Sequence, residues 1–169
     1  MAGFFKIAIR NFFNGPTTDP YPFGETFTPE KYRGIIAYDQ KLCIGCGTCE
    51  YVCPGGAIRV REKEDGQGIS FSFWLGTCTH CGNCEYYCPT SAVAHTNDFH
   101  TAQPQSEKYR PTAEGEVLFT PCRQCGQNIK PPVEPLLQRA YTEVTDELRQ
   151  LVSLCPECRR IENFKRLYL

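Results

Sequence analysis

The spacing of hydrophobic and polar positions changes several times along the chain. Residues 4–13 read Phe-Phe-Lys-Ile-Ala-Ile-Arg-Asn-Phe-Phe. Polar or small residues fall at Gly3, Lys6, Arg10 and Asn14, three or four apart, and Phe4, Phe5, Ile7, Ala8, Ile9, Phe12 and Phe13 cover the rest. The pattern predicts a short amphipathic helix with a narrow basic stripe and a wide apolar face. Ten residues rise only ~15 Å against a hydrocarbon core of ~30 Å, so the helix cannot span a bilayer. No small-x-small cleavage site follows, and a signal peptide is not expected. Packing on its own domain is one role for such a helix. Docking on a membrane or a membrane subunit is the other, and so much Phe for so little polar face favours it. Residues 14–31 then lose all periodicity. Gly15-Pro16, Pro20, Pro22, Gly24 and Pro29 predict an extended arm, with Tyr21, Phe23 and Phe27 as its anchors.

Period-two alternation follows. Tyr32 to Tyr38 predicts a strand, Ala57-Ile58-Arg59-Val60-Arg61 a second, and Ile69, Phe71 and Phe73 alternating with Ser70, Ser72 and Trp74 a return strand. Asp65-Gly66 in the charged stretch 62–68 marks the hairpin turn between the last two. Ala92-Val93-Ala94-His95 predicts a further strand. Residues 97–116 are polar, with Pro104 and Pro111, and read as a connection.

Between these strands lie two cysteine runs: Cys43-x-x-Cys46-x-x-Cys49-x-x-x-Cys53-Pro54 and Cys78-x-x-Cys81-x-x-Cys84-x-x-x-Cys88-Pro89. They are an internal repeat offset by 35 residues (Cys43 to Cys78). Residues 43–60 and 78–95 share nine identities, among them Gly47/Gly82, Glu50/Glu85 and Tyr51/Tyr86. This is the bacterial ferredoxin spacing, twice, and it implies two 4Fe–4S clusters. Three thiolates three residues apart in a tight loop wrap one cluster, and the fourth points at the other. The expected ligand sets are therefore Cys43, Cys46, Cys49 and Cys88 for the first cluster, and Cys78, Cys81, Cys84 and Cys53 for the second. Disulfides fit poorly, because Cys-x-x-Cys pairs in one loop staple nothing, and zinc needs no such triple run closed by Cys-Pro. The repeat implies a pseudo-two-fold unit with the hairpin inserted between its halves.

The remaining cysteines, Cys122-x-x-Cys125 and Cys155-x-x-Cys158, are two metal knuckles, and four thiolates make one tetrahedral site. Leu136, Leu137, Ala140, Tyr141, Val144, Leu148 and Leu151 recur at three and four, predicting a helix between the knuckles. The site suits mononuclear zinc or rubredoxin-like iron, since thiolates accept both, in a structural role. Ten of the 12 cysteines sit in Cys-x-x-Cys spacings and the other two, Cys53 and Cys88, close the two runs, which fits a reducing compartment and metal sites better than a secreted scaffold. The fold expected is α+β. An N-terminal helix and arm occupies 1–31, a two-cluster ferredoxin-like domain 32–100, and a four-cysteine helical tail 101–169.

With 18 basic and 19 acidic residues the net charge is −1, and no global field points to nucleic acid. No Ser/His/Asp set, paired carboxylate or phosphate loop is present, so no substrate site of the chain's own is expected. His80 lies inside the second cysteine loop, where a histidine either tunes potential or is simply exposed. His95 and His100 lack partner spacing and read as surface or core.

The double run with its inserted hairpin resembles the eight-iron ferredoxin subunit of complex I and of group 4 membrane-bound NiFe hydrogenases. The lead-in segment Tyr32-Arg33-Gly34 is similar to that family's. The Cys122/Cys125 and Cys155/Cys158 pairs and the Phe-rich first helix resemble the iron–sulfur subunit of formate hydrogenlyase. This resemblance implies an electron-transfer subunit on the cytoplasmic side of the membrane. Its partners would be the small and large subunits of a NiFe hydrogenase and another ferredoxin-like donor subunit, with membrane subunits reached indirectly. Residues 97–116 match nothing in that pattern, which keeps a related complex I-like oxidoreductase open. A nucleic-acid-associated Fe–S and zinc-ribbon protein is the reading from another class, and the near-neutral charge and the Phe-rich helix speak against it.

Overall fold

The computed structural model describes residues 2–15, 18–21 and 23–168. The expected breakers Pro16 and Pro22 lie outside the described residues. The chain divides into two units, Met1–Tyr32 and Arg33–Leu169. In the first, helix α1 (Ala2–Asn14) carries Phe4, Phe5, Ile7, Ile9, Phe12 and Phe13, all exposed. No described helix is long and apolar enough to cross a membrane.

The second unit begins with strand β1 (Ile36–Tyr38), the first cysteine loop and the single-turn helix α2 (Thr48–Tyr51). A hairpin follows, β2 (Ile58–Glu62) and β3 (Gly68–Phe73), then the second loop with single-turn α3 (Asn83–Tyr86) and β4 (Val93–His95). Strand β1 pairs with β4, joining Ile36 to His95 and Tyr38 to Val93, while β2 pairs with β3, joining Phe71 to Val60 and Phe73 to Ile58. Shifted by the repeat of 35 residues, the second register is the first. The hairpin strands are thus the counterparts of β4 and β1, and what is added between them is the outer part of the hairpin and its turn. Ile36, Ala57, Ile58, Phe71, Phe73, Cys84 and Val93 form the core beneath both loops.

Residues 97–116 contain more than a connection. Strand β5 (Ala113–Leu118) joins the hairpin through β3 and makes a three-stranded sheet. Its pattern hides it. The face that meets the core offers Ala113, Gly115 and Val117, and only Val117 is buried and large enough to register as apolar. β5 earns its place through backbone pairing with a strand whose side chains supply the core.

The tail opens with the small ribbon β6 (Thr120–Pro121) and β7 (Asn128–Ile129). Helices α4 (Glu134–Ala140), α5 (Asp146–Val152) and α6 (Pro156–Tyr168) follow. The single helix expected between the knuckles is two short ones. Tyr141 takes an extended backbone (φ −129°) that ends α4, and the Thr145 hydroxyl caps α5 by accepting the Leu148 N–H at 3.2 Å. A threonine cap stops a helix from running through it, because its side chain takes the place of the preceding turn's carbonyl.

Candidate iron–sulfur and metal centres

Each cysteine loop turns on residues with positive φ, and the two loops turn at equivalent places. Gly45 (φ 63°), Gly47 (77°) and Gly56 (59°) in the first half correspond to His80 (51°), Gly82 (84°) and Ser91 (55°) in the second. The hydrogen bonds repeat as well. Gly45 N–H donates to Cys43 Sγ at 3.4 Å, as His80 N–H does to Cys78 Sγ at 3.4 Å. Ala57 N–H donates to Cys53 Sγ at 3.3 Å, and Ala92 N–H to Cys88 Sγ at 3.2 Å. Glu50 accepts the Val60 N–H at 3.0 Å, as Glu85 accepts the His95 N–H at 3.2 Å, so each carboxylate ties a loop helix to the strand beyond it.

These turns gather the eight sulfurs into two cavities. The first is lined by Cys43, Cys46, Cys49 and Cys88, with Ile69, Phe71 and Val117 among its apolar walls. The second is lined by Cys78, Cys81, Cys84 and Cys53, with Ile36, Ile58 and Phe73. Three cysteines in each come from one run and the fourth from the other. In both loops the middle cysteine, Cys46 or Cys81, is exposed.

The chemistry of the walls fits a bound cationic iron–sulfur core. Burial pushes the Cys49 thiol up to about 12 and the Cys84 thiol up to about 11. Bare thiolates are therefore disfavoured there, and metal cations compensate the cost. Burial also acts on Cys88, but backbone N–H groups from Thr90, Val93 and Ala92 outweigh it and hold that thiol below its ordinary value. Two buried polar atoms lack a hydrogen-bond partner among the described residues, Tyr38 Oη and His95 Nε2. Tyr38 lines the first cavity and His95 the second. Neither residue stood out as functional in the sequence. The available signal was the repeat itself, since Tyr38 aligns with Phe73 and Val60 with His95. The His95 side chain is only 4% exposed, and its Nδ1 lies 2.8 Å from the Glu85 carboxylate, whose pKa that bond lowers. His80 contributes its backbone N–H to Cys78 and lies with Nδ1 3.2 Å from the Gly34 carbonyl.

Two long side chains from the tail hold down loops of the first cavity. Lys130 Nζ donates to the Gly45 carbonyl at 2.9 Å, and Arg139 Nη1 to the Pro89 carbonyl at 3.2 Å. On the second loop Arg33 Nη1 donates to the Cys81 carbonyl at 2.9 Å.

In the tail the sulfurs of Cys122, Cys125, Cys155 and Cys158 all lie within 4.8 Å of one another, and three of the four residues are buried. Cys125 and Cys155 Sγ are 3.6 Å apart, near the edge of a tetrahedron built on Zn–S bonds of ~2.3 Å and far beyond a disulfide bond of ~2.05 Å. The first knuckle turns at Gly126 (φ 75°), whose N–H donates to the Cys122 carbonyl at 2.9 Å. The second sits at the start of α6, and Arg159 fixes it by donating to the carbonyls of Leu151, Val152 and Leu154 at the end of α5. The N–H groups of Cys155 and Cys125 bring the Cys122 thiol down to about 6. The sulfurs of Cys155, Cys125 and Cys122, together with burial, push Cys158 up to about 12. One thiolate is thus stabilised and its neighbour opposed, a conflict that a divalent cation removes.

Residues 42–92 match the family model for the 4Fe-4S dicluster domain. This segment is such a domain, and the chain is an iron–sulfur protein of the electron-transfer class. Over nearly its whole length the chain is similar to formate hydrogenlyase subunit 6 of Escherichia coli. The two are 29% identical over 165 residues, 95% of this chain and 89% of that one. NADH-quinone oxidoreductase subunit I of Francisella philomiragia is 36% identical over 75 residues, 40% of this chain and 46% of its own. A chain in the structure of the membrane-bound sulfane sulfur reductase, an archaeal respiratory membrane complex, superposes with a TM-score of 0.45 at 26% identity, covering 60% of this chain and 56% of that one.

Proposed function

We propose that the chain is the subunit that relays electrons through two 4Fe–4S clusters within a membrane-bound NiFe hydrogenase or formate hydrogenlyase complex. The observation that carries this reading is the pair of cavities, each lined by four cysteines, three from one run and one from the other. Cys43, Cys46, Cys49 and Cys88 hold the first cluster, and Cys78, Cys81, Cys84 and Cys53 the second, in a pseudo-two-fold arrangement. When bound, each cluster takes up and releases one electron at a time. The protein supplies thiolates, backbone N–H groups aimed at their sulfurs and an apolar wall that keeps water out. Cys122, Cys125, Cys155 and Cys158 hold a mononuclear zinc or iron with a structural role. Similarity to formate hydrogenlyase subunit 6 across 95% of the chain supports the choice of complex, because it reaches far beyond the common dicluster segment. The partners are the small and large hydrogenase subunits and a ferredoxin-like donor subunit, on the cytoplasmic face of the membrane and peripheral to it. The similarity to NADH-quinone oxidoreductase subunit I favours a second reading, a complex I-like oxidoreductase without hydrogenase chemistry.

Gentle detergent extraction of the intact complex, pull-down through this chain and mass spectrometry of what comes with it tests the reading. A NiFe large subunit is the expected companion. Anaerobically purified chain with about four iron instead of about eight sinks the two-cluster assignment.

A further inference from the structure

The two cavities are built on the same register, so a difference at equivalent positions has meaning. Tyr38 ends β1 opposite Val93, and its counterpart Phe73 ends β3 opposite Ile58. Both aromatic rings stand in cavity walls, but only one carries a hydroxyl.

The Tyr38 ring is held from two sides. One face stacks on Phe71, with ring centroids 4.0 Å apart and planes 11° apart. The ring edge meets β5 at Gly115, where any Cβ would collide with Tyr38 Cε1. The absence of a side chain at residue 115 is what lets the ring lie flat on Phe71. So placed, the phenol oxygen is buried and faces the thiol of Cys43, close enough to interact with it but without a well-formed hydrogen bond to any described group. A buried donor left unpaired is costly, and such a group in a fixed position calls for an acceptor. A phenol, with an ordinary pKa of about 10, carries its proton at neutral pH and can donate it.

We propose that Tyr38 donates a hydrogen bond to the sulfur atoms of the cluster held in the first cavity and thereby raises that cluster's reduction potential. The proposal rests on the two-cluster reading above. Reduction adds negative charge that spreads over the cluster sulfurs. A donor aimed at them therefore stabilises the reduced form more than the oxidised form. Phe73 offers no donor at the same place in the second cavity.

The test uses the full chain with both clusters in place and an EPR-monitored redox titration. Cys46→Ser and Cys81→Ser assign each signal to its cavity. Tyr38→Phe keeps the ring and its stack and removes only the hydroxyl. It should shift the reduction equilibrium of the first-cavity signal about tenfold toward oxidation, which is 59 mV for one electron, and leave the second-cavity signal where it was. An exchangeable proton coupled to the first cluster, seen in the wild type by electron–nuclear double resonance in H2O against D2O, should vanish in the variant. Gly115→Ala retains the hydroxyl but displaces the ring, and should lower the same potential. An unmoved first signal in Tyr38→Phe, or equal shifts of both signals, overturns the proposal. Absence of two cluster signals from the wild type would instead overturn the two-cluster reading beneath it.

Discussion

In the dicluster segment, eight cysteines hang from a framework that buries Ile36, Ile58, Phe71, Phe73 and Val93. In the tail, the buried cluster is Cys122, Cys155 and Cys158, and among the described hydrophobic residues only Ile129 and Leu154 pack against it. The first region has an apolar core to which metal binding is added. The second has a core made largely of the cysteines proposed to hold a metal. Apolar burial drives folding at ~25 cal/mol per Å², and a handful of sulfurs provides little of it. On the proposed reading the tail draws its stability from a bound ion, while the strands around the cavities have a source of their own.

The sharpest way to break this contrast is to remove one tail ligand. Structural zinc sites contribute apparent binding free energies of ~10–16 kcal/mol, so Cys155→Ser should unfold most of residues 120–160. Hydrogen exchange should show amide protection lost there, with both cluster EPR signals unchanged. Protection that survives would mean the tail holds itself together without metal. Ligand loss in the other region should behave differently. Cys53→Ser should abolish or alter the signal of the cluster bound by Cys78, Cys81 and Cys84, and spare the first. Circular dichroism should report the strands in place. Loss of the first-cavity signal alone would show that each run serves only itself.

How much of this could be read in advance depended on how local each signal was. The grouping of cysteines around the two cavities was legible because Cys-x-x-Cys-x-x-Cys confines three sulfurs to one loop, and Cys53 and Cys88 lie just too far along to join their own. β5 was not legible. Glu114, Gly115 and Glu116 say nothing about a sheet until β3 is there to pair with them. The break between α4 and α5 was written in Thr145, but apolar residues at helical spacing ran across it and hid the cap. His95 looked like an ordinary surface or core residue. Its burial beside the second cavity follows from a strand register that joins residues 59 positions apart, Ile36 to His95.

Two smaller perturbations sharpen the same contrast. Phe73 is fully buried in the dicluster core, and Phe73→Ala should cost about 3–5 kcal/mol in urea unfolding followed through the strands. The tail's exchange pattern should change far less. A loss of protection concentrated in residues 120–160 would place the core's influence in the wrong region. The smallest effect belongs to the contact between the two regions. Lys130→Met removes the bond to the Gly45 carbonyl, a net loss of about 1 kcal/mol. It should speed amide exchange in residues 43–49 and leave the midpoint of global unfolding within error. A large drop in that midpoint would mean the tail supports the dicluster core, and the separation drawn here would fail.

The bonds from Lys130 and Arg139 to the Gly45 and Pro89 carbonyls also set a schedule. A ribosome adds about 5–20 residues each second, so Lys130 follows Gly45 by roughly 4–17 s. For that interval the first cavity exists, if at all, without the groups that later pin its loops. The second has no such wait, because Arg33 is made before Cys81, the residue whose carbonyl it holds. During synthesis, then, the second loop meets its restraint as it emerges, and the first waits for the tail.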